Sequence, residues 1–250
     1  MMKKLLLTAM AIATTIGAIA QVPSPTGAID GRFSVATDKQ VYFSQGNLQC
    51  NNPNNAATRT WAFAEHQYDR IGTANLQNTE IGVILGSTID LFGWSANNTT
   101  APFGISLSQD AADYAGDFVD WGTNAITNGG NQPNLWRTLS QAEWIYLFSG
   151  RPNANSLYSW ATVNNINGIV VLPDAFVCPS TVTFTPKSTN TYTITEWETM
   201  EQAGAVFLPT TGAREKNSTS GFIEIDEDIL EIAGFYWSNT SEAINSALCT

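Results

Sequence analysis

The stretch LWRTLSQAEWIYLFSGR, Leu135 to Arg151, decides the fold class. Ser140 followed three positions later by Glu143 is a capping box. The hydroxyl accepts from the N3 amide while the carboxylate reaches back to the cap amide. Trp144, Ile145, Leu147 and Phe148 supply an apolar stripe, and Gly150 with Pro152 ends the helix. A shorter helix is predicted over Thr195 to Gln202 (TEWETMEQ), where Thr195 and Glu198 repeat the cap pattern.

Around these helices the chain reads as strands. NGIVVLPD, Asn167 to Asp174, is a strand stopped by Pro173, and AVFLP, Ala205 to Pro209, is another. GFIEID (Gly221 to Asp226) and GFYWSNT (Gly234 to Thr240) complete a β-rich C-terminal third. Upstream, Phe33, Val35, Val41, Phe43 and Leu48 recur between polar residues, and Arg59 to Phe63 answers them across CNNPNNAAT, Cys50 to Thr58. That pattern predicts a β-hairpin with a long Asn-rich tip. The stretch IDLFGW, Ile89 to Trp94, reads as buried. Strands surround two helices rather than alternating with them, so the class is α+β and not doubly wound α/β.

The N-terminus sets the compartment. Lys3 and Lys4 form a basic n-region, Leu5 to Ile19 is almost wholly apolar, and Ala18-Ile19-Ala20 offers small residues for a signal peptidase. Residues 1–20 are therefore expected to be a signal peptide, cleaved before Gln21, rather than a span that would need roughly 20 apolar residues. No Cys follows the cut, which argues against a lipid anchor. The expected location is exported: periplasmic, cell-surface or secreted. Residues 21–31 (QVPSPTGAIDG) read as a Pro-rich linker and 32–250 as one domain.

Without Lys3 and Lys4, nine basic residues face 22 acidic ones. A field of that sign repels nucleic acid and anionic lipid, so neither is expected as a partner, and no membrane insertion is expected after cleavage. Cys50, Cys178 and Cys249 are an odd, widely spaced set without a Cys-x-x-Cys pair. They specify neither a disulfide framework nor a metal site. Asp110, Asp113, Asp117 and Asp120 form an acidic run of the kind that suits structural calcium, but lack the EF-hand spacing, so a solvated loop is the plainer reading. Glu224, Asp226, Glu227, Asp228 and Glu231 read as a solvated edge. Gln132-Pro133-Asn134 reads as a turn.

The phrase LWRTLSQAEWIYLF resembles the RLPTEAEWEYA motif of the formylglycine-generating-enzyme and sulfatase-modifying-factor superfamily, with Ser140, Glu143 and Trp144 at the cap, N3 and first buried positions. VFLPTTGAR and GFYWSNT resemble strands of the Fibrobacter succinogenes major paralogous domain and of variable proteins of diversity-generating retroelements. VYFSQGNLQ, FAEHQYDRIG, IDLFGW and VDWGTNAITNGGNQPNLWRTL resemble secreted Bacteroidales proteins carrying this domain. The resemblance covers roughly Arg32 to Thr240 and implies a C-type-lectin-like fold. In such relatives a further strand follows the YWSN-like motif. Here Ala247 to Thr250 is expected to stop within or before it, leaving an unpaired edge.

The resemblance also implies two chemistries, and the residues for both are missing. The copper-binding Cys pair has only Cys249 in its region, and the iron-binding His set has only His66. His66 reads as a partly exposed strand-end residue. The expected role is therefore non-catalytic recognition of a glycan or protein, with no cofactor required. The alternatives are a structural module docking through an open C-terminal edge, and a divergent metal-dependent oxidase. By resemblance the binding face lies around GFYWSNT, which makes Tyr236, Asn239 and Thr240 the candidate contacts, with Arg214 beside them. Arg214 has an equal reading as a buried structural residue pairing an acid such as Glu143. Trp61, Trp94, Trp136, Trp144 and Trp237 are expected in the core, and Trp121 and Trp160 on the surface.

Overall fold

The computed structural model describes residues 23–79, 82–216, 223–240 and 247–249. The expected signal peptide lies outside the described residues. Three antiparallel pairs open the chain: β1 (Phe33–Ala36) with β2 (Lys39–Val41), β3 (Leu48–Asn51) with β4 (Thr60–Phe63), and β5 (Leu76–Thr79) with β6 (Gly82–Leu85). The Asn-rich segment between β3 and β4 is the hairpin tip that the sequence predicts. β7 (Thr88–Ile89) adds to the other side of β3. Then come α1 (Gln141–Ile145), β8 (Tyr158–Val163), β9 (Ile166–Val171), β10 (Asn190–Tyr192), α2 (Ile194–Gln202) and β11 (Val206–Pro209). The last elements are β12 (Arg214–Lys216), β13 (Ile223–Ile225), α3 (Glu227–Leu230), β14 (Phe235–Trp237) and β15 (Ala247–Cys249). The class is α+β.

The central sheet runs β10-β8-β9-β11 and explains its own sequence. Val170 and Phe207 face one apolar cluster with Trp197 and Met200 of α2. Ile169, Val171 and Val206 face a second cluster with Phe33, Leu139, Trp144 and Leu147. Both faces are covered, so β9 and β11 read as continuous apolar runs instead of alternating ones. A third cluster, built on Trp61, Phe63, Ile89, Ile105, Trp121 and Ile126, fills the β3-β4-β7 region.

Helix α1 has the capping box. Glu143 N–H donates to Ser140 Oγ (3.2 Å), and Ser140 N–H donates to Glu143 Oε2 (2.8 Å). The helix continues as a π-helical turn, Tyr146–Gly150, whose end is fixed by Arg151. Arg151 is 2% exposed. It donates to the carbonyls of Leu147, Leu172 and Leu157 and pairs with Asp174 (3.2 Å). Asp174 also accepts from Ser34 and Gln40, which ties β1 and β2 to the end of β9.

Helix α2 starts earlier than its sequence suggests. The box is made by Thr193 and Glu196, not by Thr195 and Glu198. Both pairs have the same spacing, so the pattern alone does not choose between them; Trp197 and Met200 of the helix pack on the sheet.

Trp61 and Trp144 are buried as expected, whereas Trp94, Trp136 and Trp237 are partly exposed. Trp121 corrects its surface expectation: it is 5% exposed, and its indole N–H donates to Phe103 O (2.9 Å). Its polar flanks belong to a 3-10 turn capped by Asp120, so they face outward while the ring faces the core. Trp160 is half exposed, as its flanks suggest. The segment expected to stop within or before a closing strand forms β15, which pairs antiparallel with β14.

Candidate functional site

The turn after β11 brings the two C-terminal motifs together. Gly212 bridges Gly234, and from there β12 and β14 diverge around a cavity of about 440 Å³. Arg214, Tyr236, Trp237, Phe92 and Tyr114 line it, with Ala111 at an exposed edge. Two of the four residues expected from the sequence, Arg214 and Tyr236, thus share one concavity. Asn239 and Thr240 do not line it.

Asn239 and Thr240 hold the fold instead. Asn239 N–H donates to Leu139 O (2.9 Å) and its amide Nδ2 to Thr138 O (3.3 Å). Gln141 N–H donates to Thr240 Oγ1 (3.4 Å). Together they seat the end of β14 on the N-terminus of α1. Trp144 extends the same seam by donating from its indole to Trp237 O (3.2 Å).

Tyr236 is anchored as well. Its hydroxyl donates to Pro209 O (2.7 Å) and its ring packs against Trp144. Burial pushes the hydroxyl pKa far above the usual tyrosine range. It can therefore present a ring surface to the cavity, but its hydroxyl is already engaged.

Arg214, like Arg59, keeps a buried N–H without a partner. Its Nη2 donates to Gly104 O (3.1 Å), while Nη1 is buried and has no hydrogen-bond partner. Burial pulls its pKa below the usual arginine value, and nearby Tyr114 opposes that shift. The expected pairing with Glu143 does not occur. Glu143 takes both Nη atoms of Arg137 (2.7 Å each) and Lys39 (2.8 Å). Burial alone would raise the Glu143 pKa. The bonds from Arg137, Lys39 and the Ser140 amide outweigh it and bring the value to about 2. Among the described residues, no carboxylate pairs with Arg214.

The perch for Arg214 comes from a segment the sequence leaves unassigned. Gly104 O accepts both from Gly93 N–H (3.0 Å) and from Arg214. The two backbones pass so close that a Cβ on Gly104, at φ +69°, would sit 2.1 Å from Gly93 O. Only glycine fits there. Tyr114 then lies over Gly93, with its hydroxyl placed to donate to the carbonyl of either Ser106 (3.1 Å) or Ser108 (3.0 Å). No local motif announces this contact between distant loops. The only trace in the sequence is the glycine punctuation.

The acids near the cavity are accounted for. Asp90 accepts from Ile71 N–H (2.9 Å) and Asn75 Nδ2 (2.8 Å), and burial raises its pKa. Asp110 caps the 3-10 turn Ala111–Tyr114, Asp113 accepts from Ser108, and Asp120 accepts from Gly122 and Thr138. Asp110 and Asp120 serve as caps, and Asp90 and Asp113 tie neighbouring loops together. No group of three or more His, Cys, Asp or Glu able to hold a metal ion occurs among the described residues. His66 is exposed and lies 3.2 Å from Asp69, a partner its sequence context does not suggest. Cys50 and Cys178 are free thiols, and burial pushes Cys50 up to about 11. No described helix is long and apolar enough to cross a membrane. No family model matches the chain, and no curated protein or solved structure matches it either.

Proposed function

We propose that the chain is an exported C-type-lectin-like domain that recognises its ligand without chemistry, in the cavity between β12, β14 and the Gly93–Tyr114 loops. The resemblance of LWRTLSQAEWIYLF and GFYWSNT to sulfatase-modifying-factor relatives motivates the fold. The capping box at Ser140 and the seam from Thr138 and Leu139 to Asn239 are consistent with it. One observation carries the functional reading. Aromatic rings and Arg214, whose Nη1 lies buried beneath the surface without a partner, line a concavity at the motif expected to bind. Rings supply area and a directed donor supplies orientation, the usual division of labour in a ligand pocket.

The ligand class is a glycan or a protein segment. The test is binding of the purified mature chain to glycan and peptide arrays, alongside Ala111→Trp. Ala111 is exposed at the cavity edge, so the indole blocks entry without entering the core. Binding by the native chain that disappears in Ala111→Trp, with thermal unfolding unchanged, is expected. Equal binding by both proteins places the site elsewhere.

A further inference from the structure

Arg214 Nη1 is the observation that goes furthest. A buried guanidinium donor without an acceptor is costly, because it loses water and gains nothing in return. The heads of Arg151 and Arg70 are met by a carboxylate and by carbonyls, whereas Arg59 donates from Nη2 to Pro53 O and also keeps a buried Nε without a partner. Arg151 has Asp174 and three carbonyls, and Arg70 has Glu231 and the carbonyls of Thr210 and Leu230. Of the two described arginines with an unmatched N–H, Arg214 is the one that lines this cavity.

On the functional reading above, we propose that this cavity takes a carboxylate-bearing ligand whose charge is bound by Arg214, with its ring or chain lying against Tyr114, Tyr236 and Trp237. A guanidinium offers paired donors in a planar fork, which matches a carboxylate better than a neutral acceptor does. The low-dielectric setting strengthens that bond. The two acids on either side do not compete for the donor: Asp90 is held by Ile71 and Asn75, and Glu215 is exposed on the strand position after Arg214. The chain is acidic overall, with a formal charge of −11, so long-range attraction does not favour an anion. Selectivity must come from the one desolvated cation. This predicts a small, singly charged ligand end rather than a polyanion.

Two sources carry such a group, an acidic sugar and a free peptide C-terminus. The test titrates the native chain, by tryptophan fluorescence, with glucuronic acid against glucose and with Gly-Phe against Gly-Phe-amide. One acid is expected to bind at least tenfold more tightly than its neutral counterpart, and whichever acid wins identifies the source. That preference is expected to vanish in Arg214→Met, to survive in weakened form in Arg214→Lys, and to be lost with Ala111→Trp. Thermal unfolding of Arg214→Met should stay at or above the native midpoint, since a buried unmatched charge has been removed. Equal binding of acid and neutral forms, or an acid preference unchanged in Arg214→Met, overturns the carboxylate assignment. Array binding that Ala111→Trp abolishes would leave the wider binding reading intact in that case. Failure of both acids to bind also overturns the assignment.

Discussion

At the scale of single residues, three charged groups show how burial is made tolerable in three ways. Glu143 is surrounded by donors, Arg151 by acceptors, and Arg214 by fewer acceptors than it has donors. The Glu143 carboxyl ionises at about 2 in the fold against a reference of 4.5. Its contribution is therefore present above the unfolded value and lost as pH falls through the folded one. Acid titration of unfolding should show a loss of stability between pH 4.5 and 2 that Glu143→Gln removes, while that variant is less stable by about 2 kcal/mol at neutral pH. Arg151→Met should destabilise by about 3 kcal/mol in urea unfolding, because it strands Asp174 and three carbonyls. A cost below about 0.5 kcal/mol would contradict its role as the pin between α1 and the sheet.

At the scale of elements, the capping boxes show what a local pattern decides and what it leaves open. Ser140 and Glu143 form the box that their spacing predicts, although Thr138 and Gln141 offer the same pattern two residues earlier, and the helix starts at Gln141. Thr193/Glu196 and Thr195/Glu198 are equivalent as patterns, and the fold uses the first. Thr193→Ala should cost about 1 kcal/mol and Thr195→Ala less than about 0.5, measured by urea unfolding. The reverse order would restore the later start. The strands were legible for the same reason as α1. Runs such as INGIVV and VFLP lie between two apolar clusters, so their composition records double coverage. Trp121 was not legible, because polar neighbours on a capped 3-10 turn face away from the ring they flank.

At the scale of the whole molecule, the candidate site exists only because distant segments meet. The C-terminal motifs supplied Arg214 and Tyr236 from the sequence, while Trp237, read there as core, also lines the cavity. The second wall, Gly93, Gly104 and Tyr114, came from a stretch with no periodicity to place it. Long-range juxtaposition of loops leaves no spacing in sequence, which is why half of the site was invisible there. The same global view reassigns Asn239 and Thr240, whose polar groups join β14 to α1 and leave the cavity to others. Gly104→Ala should disturb both halves at once, since the added methyl meets Gly93 O at 2.1 Å. A lowered unfolding midpoint together with weakened ligand binding is expected. Unaltered binding would detach the perch from the site.

The most direct test of recognition in this cavity is a side-by-side array measurement of the native chain and Ala111→Trp at equal thermal stability. The account predicts a defined set of bound ligands for the native chain and none for the variant. The same ligands bound equally by both would contradict it.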